Sequence, residues 1–242
     1  MESPRPAQNP QPLHGMFTAL PPRYDLVNHI ITLGLDKRWR RLAAKTCLED
    51  KPRCVLDLGC GTGDLSINIA KLADKDTDIT GLDYSQPMLE KARQKAAKAG
   101  VGKRTHFIHG EATRLPFPDA HFDCVGISFA FRNLTYKNPL GSPHLAEVKR
   151  VLKNGGRYVI VESSQPYNRL IRALFHLYLR IFVKPVGIAL SGNPGAYRYL
   201  AESARRFYSP LEVRDMLMAA GFRDVRFRAL LSGAVGIHVA LK

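Results

Sequence analysis

The stretch CVLDLGCGTGD at residues 54–64 decides the fold. An apolar run, Cys54 to Leu58, passes without a spacer into a glycine-rich turn and then into a helical pattern over 65–72. A turn of this kind lets a ligand approach the backbone at the mouth of a helix. Its spacing differs from the dinucleotide fingerprint GxGxxG, because Asp64 stands where the third glycine belongs, and Asp57 and Asp64 would repel a pyrophosphate. Outward from the turn, short apolar runs alternate with helical patterns: DITGLD, a helix over 87–99, THFIHG, FDCVGISFAF, a helix ending at Leu152, a turn at 153–156 and RYVIVE. That alternation predicts a parallel sheet with crossover helices. FRDVRFRAL and AVGIHVAL supply two closing strands after a helix over 210–220. The expectation is a doubly wound, mostly parallel seven-stranded α/β sheet, Rossmann-like.

Upstream, residues 22–33 and 36–48 read as two helices separated by Gly34, with Asp36 as an N-cap, placed to cover the active edge of the sheet. Residues 1–15, rich in proline and polar side chains, read as a disordered lead-in. Residues 16–242 then form a single domain, with N-terminal helices across 16–50 and a helical lid or substrate region inserted after the fifth strand, across 166–208. Within that insertion a helix over 168–184 is expected to stop at Pro185 and Gly187.

The chain has 242 residues, 45% of them hydrophobic, enough for one large core. Its four cysteines, Cys47, Cys54, Cys60 and Cys124, form no CxxC pair and no cluster with histidine, so neither a disulfide framework nor a metal site is expected. The best apolar stretch, 170–190, carries Arg172, His176, Arg180 and Lys184, and no spanning segment is expected. The formal charge of +15 attracts phosphate-bearing partners, either nucleic acid or anionic lipid.

Two carboxylates around a glycine turn suit a ligand that carries a sulfonium and an ammonium, which points to S-adenosylmethionine. Asp57, Gly59, Gly61 and Thr62 belong to this turn. Twenty residues past Gly63, at the end of the next strand, Asp83 in GLDYS is placed to accept both ribose hydroxyls, with Tyr84 beside it. An isolated Asp there would read as a helix cap, but the preceding turn favours ribose. Glu111 and Ala112 in GEAT follow the third strand, where their backbone meets an adenine edge, and Ser128 closes the fourth; ordinary loop polarity is the competing account of these three.

Further segments carry a resemblance. FTALPPRYDLVN at 17–28, LGLDKRWR at 33–40, LDLGCGTGD, ISFAFRN at 127–133 and YRYLAESARRF at 197–207 resemble the C-methyltransferases of ubiquinone and menaquinone biosynthesis, from Phe17 to the C-terminus. The resemblance implies a class I methyltransferase fold, S-adenosylmethionine bound by Thr62, Asp83, Glu111, Ala112 and Ser128, and a prenylated quinol facing Arg132 and Asn133. Methylation of demethylmenaquinol is the preferred activity, with a ubiquinone-precursor benzoquinol or another small acceptor as the alternative. The chain departs from the family in FAFRN where FGLRN is usual, in a longer stretch over 136–143, in Ala201 where proline is common, and in ESSQP at 162–166 where EFSKP is usual; these touch the acceptor more than the cofactor.

Arg132, always protonated, is expected to stabilise a phenolate or orient a water, Asn133 to bind a quinol oxygen, and Tyr24 to line the pocket; packing or capping competes for the last two. Arg172, His176, Arg180 and Lys184 recur every four residues beside apolar neighbours, which suits either an anionic membrane surface or a lid with a solvated basic face. An RNA methyltransferase is the remote rival; the aromatic RNA-binding modules are absent and no nucleic-acid partner is expected. The reading is of a cytoplasmic enzyme, peripheral at the inner face of the membrane, and compatible with a homodimer.

Overall fold

In the computed structural model residues 24–242 are described. The lead-in at 1–15 and the start of the first helix at 22 and 23 lie outside them. Two helices, α1 (Tyr24–Ile31) and α2 (Leu35–Cys47), precede the sheet. The alternation then runs β1 (Cys54–Leu58), α3 (Asp64–Leu72), β2 (Asp78–Asp83), α4 (Gln86–Lys98), β3 (Thr105–His109), β4 (Phe122–Ser128), a short α5 (Phe131–Thr135), α6 (Gly141–Val151) and β5 (Leu152–Ser163). A helical segment follows, with α7 (Arg169–Tyr178), a π-helical turn Leu179–Val183, α8 (Lys184–Ser191) and α9 (Pro194–Arg205). Helix α10 (Pro210–Ala219), β6 (Arg223–Leu230) and β7 (Val235–Leu241) complete the chain.

The seven strands stand in the order β3-β2-β1-β4-β5-β7-β6. The first five pair in parallel, and β7 enters antiparallel between β5 and β6. This is the doubly wound seven-stranded sheet expected, with its switch point between β1 and β4, where ligands of such sheets bind beyond the carboxyl ends of the strands. The central strands are buried on both faces, which is why they read as continuous apolar runs. One core layer gathers Leu56, Leu58, Phe122, Phe131, Tyr158 and Phe222; the opposite layer gathers Trp39, Val55, Leu65, Ile69, Ile79 and Val159. A third cluster joins α1 to the helical segment through Val27, Ile31, Leu179, Val183, Tyr197 and Ala201.

Three local expectations are corrected. Gly34, in the left-handed region at φ 74°, is the N-cap of α2; Asp36 lies inside the first turn, buried, where it meets His29 at 2.7 Å and pairs with Arg40. The glycines of the expected turn at 153–156 are instead part of β5, which begins at Leu152 and slips register against β4 between Phe122 and Cys124. Pro185 does not end the insertion helix, which runs unbroken over Arg169–Ser191. Proline lacks the N–H that would bond four residues back, and the π turn just before it changes the bonding pattern where the ladder would otherwise break. Gly187 follows because α9 crosses there: a Cβ at that position would meet the Tyr197 ring at 2.1 Å.

Candidate active site

A cavity of about 840 Å³ opens at the carboxyl ends of β1, β2 and β4 and continues beneath α7–α9. Its floor is the glycine turn. Gly59 has φ 64°, and a Cβ there would stand 2.9 Å from that of Ala130, so only glycine lets the turn after β1 pass so close to the end of β4. Asp57, the fourth residue of β1, is fully buried. Its Oδ2 accepts from the Ser66 backbone N–H at 2.9 Å and the Ser66 hydroxyl at 2.6 Å, while Oδ1 has no partner. Burial without a cation in contact pushes this carboxyl up to about 7.

Asp83 ends β2, with its carboxylate held by backbone N–H groups: Oδ1 by Ser85 at 2.8 Å and Oδ2 by Gly61 at 2.9 Å. Desolvation outweighs these bonds and raises its pKa. Tyr84 follows, its hydroxyl raised by burial, and both residues line the cavity. Glu111 and Ala112 line it from the loop after β3, where the backbone of Glu111 pairs with that of Arg114, and Ser128 lines it from the end of β4.

Helix α1 forms the roof with Tyr24, Asp25 and Asn28. It is fastened to the floor: the Thr62 hydroxyl donates to Asp25 Oδ1 at 2.8 Å, and Lys95 Nζ reaches Asp25 Oδ2 at 2.9 Å, Thr62 Oγ1 at 2.9 Å and Asp64 Oδ1 at 2.5 Å. Asp64 is therefore not the second free carboxylate that the spacing implied, since Lys95 and Arg40, the latter at 3.6 Å, already compensate it. Burial raises the Tyr24 pKa, so this residue presents a neutral hydroxyl.

Beyond Ser128 the cavity meets α5. Arg132 is buried, and its Nη1 donates to Glu162 Oε1 at 2.9 Å and to Ser163 Oγ at 2.6 Å. Its own backbone N–H donates to Glu162 Oε2 at 3.1 Å. The free cation expected at this position is thus half of a buried ion pair, with Nε left unpartnered. Across the cavity α7–α9 supply an apolar wall of Ile171, Phe175, Tyr178, Leu179, Val183 and Leu200, together with Tyr199.

Buried polar atoms nearly always have partners. Among the described residues nine buried side-chain polar atoms have none; six of them, Asp57 Oδ1, Ser85 Oγ, Ser128 Oγ, Arg132 Nε, Asn133 Oδ1 and Tyr199 OH, belong to residues lining this cavity, while Arg104 Nε, His144 Nδ1 and Ser164 Oγ lie elsewhere. At the glycine turn the orphans are acceptors and hydroxyls beside a buried carboxylate, which fits the ammonium, sulfonium and ribose of S-adenosylmethionine. At α5 and α9 an amide oxygen, a guanidinium nitrogen and a phenol surround apolar space, which fits a second, mostly apolar ligand. Asp25, Asn28, Lys95, Glu162 and Tyr199 were not singled out from the sequence; Asp25 and Asn28 stand in FTALPPRYDLVN, Glu162 in ESSQP and Tyr199 in YRYLAESARRF, and for Lys95 there was no signal.

Sheet order, glycine turn, strand-end Asp83 and roofed cavity together define a class I S-adenosylmethionine-dependent methyltransferase. Solved structures agree on the fold: an S-adenosylmethionine-dependent methyltransferase from Aquifex aeolicus superposes with a TM-score of 0.58 at 20% identity, over 98% of this chain and 100% of its own. A methyltransferase from Thermotoga maritima gives 0.58 at 20% identity, over 94% and 99%. Residues 6–242 match the ubiE/COQ5 methyltransferase family, and the chain belongs to it. It is similar to a demethylmenaquinone methyltransferase of Deinococcus radiodurans, 43% identical over 96% of this chain and 93% of the relative, and to one of Thermus thermophilus, 41% identical over 93% and 98%. A ubiquinone/menaquinone biosynthesis C-methyltransferase of Pseudomonas putida is 33% identical over 94% and 87%.

Proposed function

We propose that this enzyme methylates a ring carbon of a prenylated quinol, with demethylmenaquinol as the acceptor. The observation that carries the reading is the continuity of one cavity from a polar floor at Asp57 and Asp83 to an apolar chamber under α7–α9, with hydrogen-bonding groups at the junction. The two relatives of highest quoted identity carry the name of that activity. When bound, S-adenosylmethionine supplies an electrophilic methyl group. The chain must hold the ring carbon in line with it and favour the phenolate, whose charge spreads onto the adjacent carbon. Asn133 Oδ1 accepts a hydrogen bond from a quinol hydroxyl, whose proton passes to a water, and the Tyr199 hydroxyl donates to the oxygen as charge develops. Arg132 adds a directed N–H; because Glu162 compensates its charge, it does so without opposing the cationic donor. Tyr24 and Asn28 close the roof against water.

The prenyl tail brings the enzyme to the membrane. Leu170, Leu177 and Ile181 recur at helical spacing along the outer side of the insertion helix, and Leu170 and Ile181 are 69% and 64% exposed. The helix Arg169–Ser191 is long and apolar enough to cross a membrane, but its inner side packs on α1 and α9 and walls the cavity. With Arg169, Arg172, Arg180 and Lys184 along it, it suits an anionic interface in which the apolar stripe lies among the headgroups. The enzyme then works from the cytoplasm at the inner face of the membrane.

Labelled S-adenosylmethionine with two reduced acceptors in detergent, a short-chain demethylmenaquinol and a demethylated benzoquinol, tests the reading. Mass spectrometry is expected to find the ring-methylated naphthoquinol. Transfer to the benzoquinol alone would replace the acceptor, and bound cofactor with transfer to neither would refute the quinol assignment.

A further inference from the structure

Behind the roof of the active site lies a second cleft, of about 460 Å³, between the faces of α1, α2, α3 and α4 that turn away from the cofactor. Arg40 and Asp64 line both spaces and form the partition between them. The cleft is lined by His29, Lys37, Arg40, Lys71, Lys95 and Lys98, and Asp64 is the single carboxylate among its lining residues. Two of these cations are already committed: Lys95 to Asp25 and Asp64, and Arg40 to Asp36 and Asp64. Lys37, Lys71 and Lys98, one from each of three helices, have no carboxylate partner among the described residues.

Helix electrostatics account for two of the three. Lys71 and Lys98 stand in the last turns of α3 and α4, where a cation meets the negative end of the helix dipole. Lys37 stands in the first turn of α2, at the positive end, where a cation is disfavoured. Among the described residues no carboxylate pairs with it there, and it lines the same cleft as the other two lysines.

We propose that this cleft is a binding site for a phosphate-bearing ligand, held by the ammonium groups of Lys37, Lys71 and Lys98. The three cations reach the cleft from three separate helices, and charge-assisted bonds to phosphate are the strong kind. The volume admits a diphosphate or a lipid phosphate with its glycerol. The site is independent of the quinol reading, because none of the three lysines lines the active-site cavity.

The test uses the full chain, a Lys37→Gln/Lys71→Gln/Lys98→Gln variant, and a control in which Lys45, Lys75 and Lys103, exposed elsewhere, are changed to glutamine so that the same charge is lost. Inorganic pyrophosphate is titrated calorimetrically, and vesicles with and without phosphatidylglycerol are sedimented with each protein. The expected result is a loss of affinity of at least tenfold in the cleft variant relative to the control for one of the probes. A loss for pyrophosphate assigns a free phosphate ligand, and a loss confined to phosphatidylglycerol vesicles assigns a lipid headgroup. Affinities for both probes that match between cleft variant and control would overturn the proposal, since generic charge would then explain any binding.

Discussion

Replacing Asp57 by asparagine separates the stability of the fold from its hold on the cofactor. The carboxyl is fully buried, Oδ1 has no partner, and its pKa stands at about 7 against an ordinary value of 3.8. Between those two values the folded chain keeps a proton that the unfolded chain has lost, so folding stability falls as the pH rises through the window and levels off above it. A displacement of this size corresponds to about 4 kcal/mol of destabilisation above pH 7. Asp57→Asn removes that cost and leaves an amide N–H₂ to be satisfied, at about 1–3 kcal/mol. The variant is therefore expected to be about 1–3 kcal/mol more stable than the parent at pH 8 and no more stable at pH 4. Urea denaturation of both proteins at the two pH values gives the differences directly. Calorimetric titration with S-adenosylmethionine should show binding weakened by at least tenfold, because the charge that destabilises the empty fold is the one that meets the cationic ligand. A variant that is less stable than the parent at pH 8, or equally stabilised at both pH values, would refute this reasoning.

Glu162→Ala leaves the Arg132 guanidinium buried and uncompensated and is expected to lower stability by about 3–5 kcal/mol, whereas Glu162→Gln should fold with a smaller loss and a reduced kcat; chemical denaturation and single-turnover rates distinguish the two. Changing Leu170, Leu177 and Ile181 to glutamine should weaken binding to phosphatidylglycerol vesicles tenfold or more while turnover of a short-tailed quinol in detergent is retained, since none of the three lines the cavity. His144 is buried and neutral, its pKa driven down to about 4 by desolvation, so it contributes about 3 kcal/mol that is lost as the pH falls from 6.5 through 4. His144→Gln, which can still reach the Tyr158 hydroxyl, should flatten that acid limb in pH-dependent melting curves, and an unchanged slope would contradict the assignment.

The glycine-turn half of the cavity was legible because it is local. A strand, a glycine turn and a helix succeed one another within 54–64, and Asp83 follows at the end of the next strand, so the period of the chain alone places these groups at one edge of the sheet. The acceptor half was not, because its properties arise between distant segments. Arg132 loses its free charge to Glu162, 30 residues away and on the neighbouring strand, and Asp64 loses its own to Lys95, 31 residues on. No periodicity reports such pairings. The insertion helix is legible from its composition, but Pro185 reads as its end, and the π turn at Leu179–Val183 that precedes the proline leaves no trace in the sequence.

Helix α1 is a hinge-pin shared by two doors. The hydrogen bond that its Asp25 accepts from Thr62 pins it to the glycine turn, the ion pair of Asp25 with Lys95 pins it to α4, and Val27 and Ile31 pin it to the helices over the apolar chamber. One short helix is therefore the mechanical link between the glycine turn and the apolar chamber, and a displacement of it would loosen both together.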